Sequence, residues 1–456
     1  AQQVAGAVLH ELRALVDRSL VLHTATGRYE IHELLRQFAD EKMAASPAAS
    51  ATIRERHCAH FTAALERWEL ELKDSRQMTA LQEMRKDAEN IRAAWQWAVE
   101  HRQVAKLGQA LDGICRFYHW RGRYQEGRVT CKAVASALDA TTQTDERLLL
   151  ARVLAWESRF CLEPGRVSVA ATRLERCLNL LEGLNADTRA VKAYALTLMG
   201  WLACDAGDNE NAQRLFQDSL SLWQTLGNQW AEAHALTGLG QVAWSRNAYD
   251  KARELAEGGL AIRQAIGDKR GIADSLMLMG LITAYAGQMN KSVRLRQKMV
   301  AILEELDDRP GAADGLFALA TGLVWLGRNT EAQSLFRESM AIHEDLGSSE
   351  GIAISSAFLG WIDAMHGSYE PARIGIEGSL RTLREGGQPR YTGIAILFCG
   401  MVALVERDFA RAKSSMGEVA GIYDKIGQND EWVVATASLG YVALASGDIT
   451  GAQRYL

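Results

Sequence analysis

Hydrophobic residues along most of this chain fall at helical spacing, as in Leu215, Leu220, Leu222 and Leu226. A longer period organises these helices. Gly200, Gly240, Gly280, Gly360, Gly400 and Gly440 stand 40 residues apart, or twice that across Ala320, by subtraction of their numbers. An apolar residue precedes each, from Met199 and Leu239 to Leu439. A small residue follows twelve positions later, as Ala212, Ala252, Ser292, Ala332, Ala372, Ala412 and Ala452. One turn slot reads Gly207, Asn247, Gly287, Gly327, Gly367, Arg407 and Gly447, and a second reads Gly227, Gly267, Asp307, Gly347, Gly387 and Gly427.

Four columns in one register over seven units predict a repeat protein. Glycine inside the first helix and alanine in the second let two backbones approach closely. Gly and Asn in the turns supply the left-handed backbone that ends a helix. Each unit is expected to be a helical hairpin, helix A then helix B, whose apolar face is buried only by its neighbours. Units begin near 188, 228, 268, 308, 348, 388 and 428, the last ending within helix B at Leu456. Degenerate units fit 147–184, with Thr172 in the alanine slot, and 105–140 around Gly122 and Gly127.

The first hundred residues follow another pattern. Residues 7–18 read as a short amphipathic helix, Val21–His23 and Arg28–Ile31 as a small hairpin, and 32–45 as a helix carrying Leu34, Leu35, Phe38 and Met43. Pro47 and the Ser/Ala stretch around it make a break. Helix–strand–strand–helix of this size looks like the end of a winged-helix domain. Both helices balance acidic and basic residues, so phosphate gripping is not expected of them.

The repeat resembles the tetratricopeptide repeat. Leu239-Gly240 and Leu359-Gly360 match its Leu-Gly pair, and the alanine twelve residues on matches its small helix B position; the longer period departs from it. The resemblance implies an all-α, right-handed superhelical solenoid preceded by a small winged-helix remnant. The N-terminal motifs Leu15-Val16-Asp17-Arg18-Ser19-Leu20, Arg28-Tyr29-Glu30-Ile31-His32-Glu33-Leu34-Leu35-Arg36 and Glu89-Asn90-Ile91-Arg92-Ala93-Ala94-Trp95 resemble the bacterial signal-transduction ATPases of the STAND class that carry tetratricopeptide-like sensors. That resemblance implies three parts: the end of a winged-helix domain at 1–45, a helical arm with a degenerate repeat at 46–140, and a repeat sensor at 141–456. It also implies that His32 contacts the β-phosphate of ADP in a resting parent protein. An ATP-binding module would then lie upstream of Ala1. A small-molecule or protein inducer would bind the repeats, relieve autoinhibition and permit oligomerisation. The alternative is a scaffold gripping a peptide or helix of a partner protein.

Repeat solenoids bind on the concave surface, lined mainly by helix A. Mapped onto the tetratricopeptide pattern, three columns fall there. Their varied members Tyr194, Trp201, Asp205, His234, Gln241, Asp274, Tyr285, Trp325 and Trp361, with Trp244 beside them, are the candidate ligand groove. Trp and Tyr offer rigid contact area, and Asp, His and Gln can orient a polar group. Towards the C-terminus these columns become more apolar.

Composition and charge narrow the function. Five prolines among 456 residues suit an almost wholly helical chain. A net charge of −5 argues against a general nucleic-acid binder. No apolar run is long enough for a membrane helix, and charged Glu11, Arg13, Asp17 and Arg18 occupy the place a secretory signal would need apolar. Seven dispersed cysteines suit buried side chains in a reducing, cytoplasmic setting. No GxxxxGK[ST] loop, HExxH or GxSxG motif occurs, so neither catalysis nor a bound cofactor is expected of this chain. His57 and His60 share a helical face without a carboxylate partner, and no metal is expected there.

Overall fold

A computed structural model of the chain describes residue 4 and residues 6–24, 27–162, 166–386, 389–426 and 429–455. The turn positions Gly387 and Gly427, and Leu456, lie outside the described residues. The first segment runs α1 (Leu9–Asp17), β1 (Leu22–His23), β2 (Tyr29–Glu30) and α2 (Glu33–Ala44). β1 and β2 pair antiparallel, with Leu22 opposite Glu30 and His23 opposite Tyr29. Neither helix has a fully buried residue. An ion pair between Arg28 and Asp87 ties this hairpin to the next segment.

That segment is an arm of three helices, α3 (Pro47–Glu71), α4 (Gln77–Lys86) and α5 (Ala88–Glu100). Leu65, Trp68, Leu72, Met84, Ile91 and Trp95 bury their apolar faces together. Their cluster continues into the first hairpins, through Leu111, Trp156 and Phe160 to Leu198. The arm and the start of the repeats therefore share one core.

From Val104 the chain is a run of helical hairpins. The degenerate pairs are α6 (Val104–Trp120) with α7 (Tyr124–Leu138), and α8 (Thr144–Leu162) with α9 (Val167–Leu181). The regular pairs are α10 (Arg189–Asp205) with α11 (Asn209–Thr225), α12 (Gln229–Ser245) with α13 (Tyr249–Ile266), and α14 (Lys269–Tyr285) with α15 (Met289–Glu305). They continue as α16 (Arg309–Trp325) with α17 (Asn329–Leu346), α18 (Ser349–Met365) with α19 (Tyr369–Gly386), and α20 (Pro389–Val405) with α21 (Phe409–Ile426). The last pair is α22 (Asn429–Ala445) with α23 (Ile449–Tyr455).

Every described turn slot of the repeat has a positive φ, between 52° and 87°, including Asn247, Asp307 and Arg407, which carry side chains there. Five helix starts are set by short polar side chains. Asp208, Asn228, Asp268, Asp308 and Ser348 each accept from the backbone N–H three residues on. The small column is fully enclosed, and Ser292 donates from its Oγ to the Gly280 carbonyl at 2.6 Å. Two glycines answer one side chain: the buried ring of Phe216 lies between α10 and α12, where a Cβ on Gly200, or on Gly238 outside the repeating column, would come within 2.7 or 2.4 Å of it. All seven cysteines are free, and all but the half-buried Cys204 are buried. Among the described residues no helix is long and apolar enough to cross a membrane.

Candidate ligand-binding face

Contacts between residues several units apart show which side chains the coil brings together. Arg390, at the start of α20, lies over the ring of Trp244 near the end of α12, 5.0 Å from its centroid. Tyr391 meets Phe317 of α16 at 6.4 Å, and Asp205, Asp314 and Glu350 all act electrostatically on its hydroxyl. These contacts bring the start of α20 near the end of α12 and the middle of α16.

At the arm end the interior is polar and crowded. The Arg116 guanidinium of α6 lies 4.3 Å from the Trp230 ring centroid and 5.6 Å from that of Trp156. Tyr194 packs against Trp156 at 5.4 Å, and His234 against Trp230 at 4.2 Å. Nδ1 of His234 is 3.4 Å from Nη2 of Arg263, whose Nη1 donates to Ser275 Oγ at 2.6 Å. Burial and the surrounding cations, Arg263 first among them, hold His234 well below the usual histidine range, so it is neutral. Asp274 is ion-paired with Arg270, which also donates through Nε to Asp308 Oδ2 at 3.0 Å. Burial pushes the carboxyls of Asp268 and Asp308 up. The arm joins the same network: Gln77 of α4 donates to Asp268 at 2.6 Å and accepts from the Arg270 backbone N–H at 3.1 Å.

Further along, the interior is aromatic and apolar. Trp244 is almost fully buried and meets Tyr285 edge-on at 5.3 Å, and Tyr249 stacks near Tyr285 at 6.3 Å. Gln241 is half-buried on the same helix. Trp361 is stacked on Phe398 at 5.4 Å, and Trp201 packs edge-on to Phe216 at 5.2 Å. Both indoles thus belong in part to helix packing. Asp205 is exposed, and Trp325 is 73% exposed, with Met365 and Val405 exposed at the equivalent positions of the next two units.

His32 stands apart from all of these. It opens α2, where its Nδ1 accepts from the Leu34 backbone N–H at 3.3 Å. A depression of about 590 Å³ between the hairpin and the arm is lined by Arg28, His60, Arg67, Trp68, Glu83 and Asp87, away from the repeat columns. His57 and His60 belong to no group of three metal-ligating residues among those described. Sequence reasoning missed Arg116, Arg270, Arg296, Arg390 and Gln77. Of these only Arg296 carried a readable signal, a charge in an otherwise apolar column of helix B.

A tetratricopeptide-repeat family model matches residues 191–265. No curated protein matches the chain in sequence. Among solved structures, a Rap protein complexed with competence and sporulation factor superposes with a TM-score of 0.54 at 12% identity, over 76% of this chain and 99% of that one. NprR in complex with its cognate peptide NprX gives 0.53 at 11% identity, over 79% and 93%. A signal-transduction ATPase with numerous domains and a tetratricopeptide repeat sensor, from Pyrococcus horikoshii, gives 0.42 at 14% identity, over 87% and 62%; at that score the likeness decides nothing. The fold is accordingly an all-α solenoid of tetratricopeptide-like hairpins.

Proposed function

We propose that this chain is the sensing portion of a STAND-class signalling ATPase, and that its ligand is a peptide, protein segment or small molecule held on the inner face of the repeats. The observation that carries the reading is the ladder Trp325, Met365 and Val405, large apolar side chains exposed at one position of successive helices A. Exposed apolar side chains aligned in this way mark an interaction surface. The Rap and NprR structures, which share the fold, hold competence and sporulation factor and the peptide NprX respectively. The N-terminal motifs support the parent class, as does the exposure of Leu9, Leu22, Ile31, Leu34 and Phe38, an unpartnered apolar surface suited to packing against the rest of a winged-helix domain. In that parent, His32 would sense the nucleotide and ligand binding would shift the protein from a closed to an open state. The chain itself is proposed to be non-catalytic and free of cofactor.

The competing reading is a plain peptide-binding scaffold, to which the apolar ladder alone would be sufficient. Thermal stabilisation of the chain by a panel of peptides and metabolites tests both. A ligand whose binding is lost in Trp325→Ala supports the inner-face reading; a ligand that binds this variant as well as the wild type overturns it. Joining the ligand-responsive chain to its native upstream sequence then separates sensor from scaffold, because only a sensor changes ATP turnover.

A further inference from the structure

One residue breaks the repeat where breaking it is costly. Four positions after the small slot, helix B reads Phe216, Ala256, Arg296, Phe336, Ile376 and Met416. All are buried, and Arg296, only 6% exposed, puts a guanidinium where its counterparts put rings and methyl groups. The facing helix A column reads Leu202, Val242, Ile282, Gly322, Ile362 and Val402, so its one gap faces this arginine. A Cβ on Gly322 would come within 3.2 Å of Arg296 Nη1, and one on Gly280 within 3.2 Å of its Cγ. The side chain thus threads between α14 and α16 through space that glycine leaves open.

What it meets is not a countercharge. Nη1 donates to the Ala318 carbonyl, Nε has no partner, and among the described residues no carboxylate pairs with it. Burial pushes the guanidinium down to about 10, leaving it charged at neutral pH, and Tyr285 and Arg390 also act on it electrostatically. Those two flank Trp244, whose own Nε1–H is buried without an acceptor. One guanidinium and an unpaired indole N–H therefore meet beside aromatic rings in the interior of the coil, and Arg296 lies within electrostatic reach of Arg390 and Tyr285. A buried, unpaired arginine is strongly unfavourable unless something supplies its partner.

We propose that Arg296, with Arg390 and the indole N–H of Trp244, receives an oxyanion, a carboxylate or a phosphate, carried by the ligand. The rings of Trp244 and Tyr285 then flank the part of the ligand that bears it. Arginine suits this role because its fork matches two oxygens at once. The inference deepens the inner-face reading and depends on it. It requires that the ligand be anionic at one end, while the exposed apolar ladder takes the rest.

The test uses the full chain with inorganic phosphate and with succinate, each against chloride at equal ionic strength, followed by melting temperature and calorimetry. The wild type is expected to be stabilised by one or both anions beyond chloride. Phosphate alone would point to a phosphorylated ligand, and succinate alone to a carboxylate. Arg296→Met, which places the residue of Met416 in the same column, is expected to melt at least as high as the wild type without anions and to bind them at least tenfold more weakly. Arg390→Gln, away from the helix B core slot, should weaken anion binding without unfolding the chain. No anion response in the wild type, or an undiminished one in both variants, overturns the proposal. A peptide or metabolite that needs Trp325 but binds Arg296→Met normally would sink this site alone and leave the inner-face reading standing.

Discussion

Gln77 and Asp268 are joined by a 2.6 Å hydrogen bond although 191 positions separate them in the chain. Gln77 is fully buried; it also donates to the Leu72 carbonyl at 2.7 Å and accepts from the Arg270 backbone. Asp268 in turn caps α14 through the Gly271 N–H at 2.9 Å. The same two residues thus end the α3–α4 turn, start a repeat helix and hold arm to repeats. Because Arg270 pairs with Asp274 of the candidate face, the arm contact and the inner face share one polar network.

Gln77→Leu keeps the volume but leaves Asp268 and the Leu72 carbonyl short of a donor in a dry site. The expected loss is about 2–3 kcal/mol of stability in urea denaturation. An unchanged midpoint would mean that the arm is not anchored here.

The Phe216 ring packs where Gly200 and Gly238 leave room for it. Gly238→Ala places a methyl group 2.4 Å from that ring, so the ring or the helix must move, at a cost of about 1–3 kcal/mol. Phe216→Leu in the same chain should recover part of the loss, giving a coupling energy in a double-mutant cycle. Additive effects would show that the ring is not what the glycine accommodates.

Two tryptophans of the candidate face, Trp361 and Trp325, should behave differently. Trp361, stacked on Phe398, is expected to cost roughly 2 kcal/mol when cut to alanine, a fraction of the figure for a fully buried ring. Trp325, mostly exposed, should change stability by less than about 0.5 kcal/mol and affect ligand binding instead. Thermal melts of both variants, read beside binding, check the distinction.

His234 gives the acid side a slope. Its native pKa lies below that of the unfolded chain, so its contribution is fully present above about pH 6.5 and is lost as pH falls through that value towards the native one. Between pH 7.5 and 5.5, His234→Phe should remove up to about 1.4 kcal/mol per pH unit from the fall in stability. Equal slopes in wild type and variant would show that the histidine is protonated in the native state.

Much of the architecture was legible in the chain because the repeat is a local device. The small column, the turns and the helix caps each act within one hairpin or on the next, so the starts near 188, 228, 268 and onward could be read by counting. Asp307 and Arg407 fitted the turn register despite their bulk, and both have positive φ. The contacts of the candidate columns could not be read. Counting along the sequence does not say that Trp201 and Trp361 pack against phenylalanines, or that Trp325 is left open.

The spacing of glycine, alanine and apolar residues by itself determined helices, hairpins and stacking, because those depend on neighbours one repeat away. Only the tertiary structure decided what fills the inside of the coil. Superhelical curvature accumulates over several units, and it alone brings Arg390 onto Trp244 and Gln77 onto Asp268. Charges that look solvated along the chain, such as Arg270 and Asp274, are enclosed and paired in the fold.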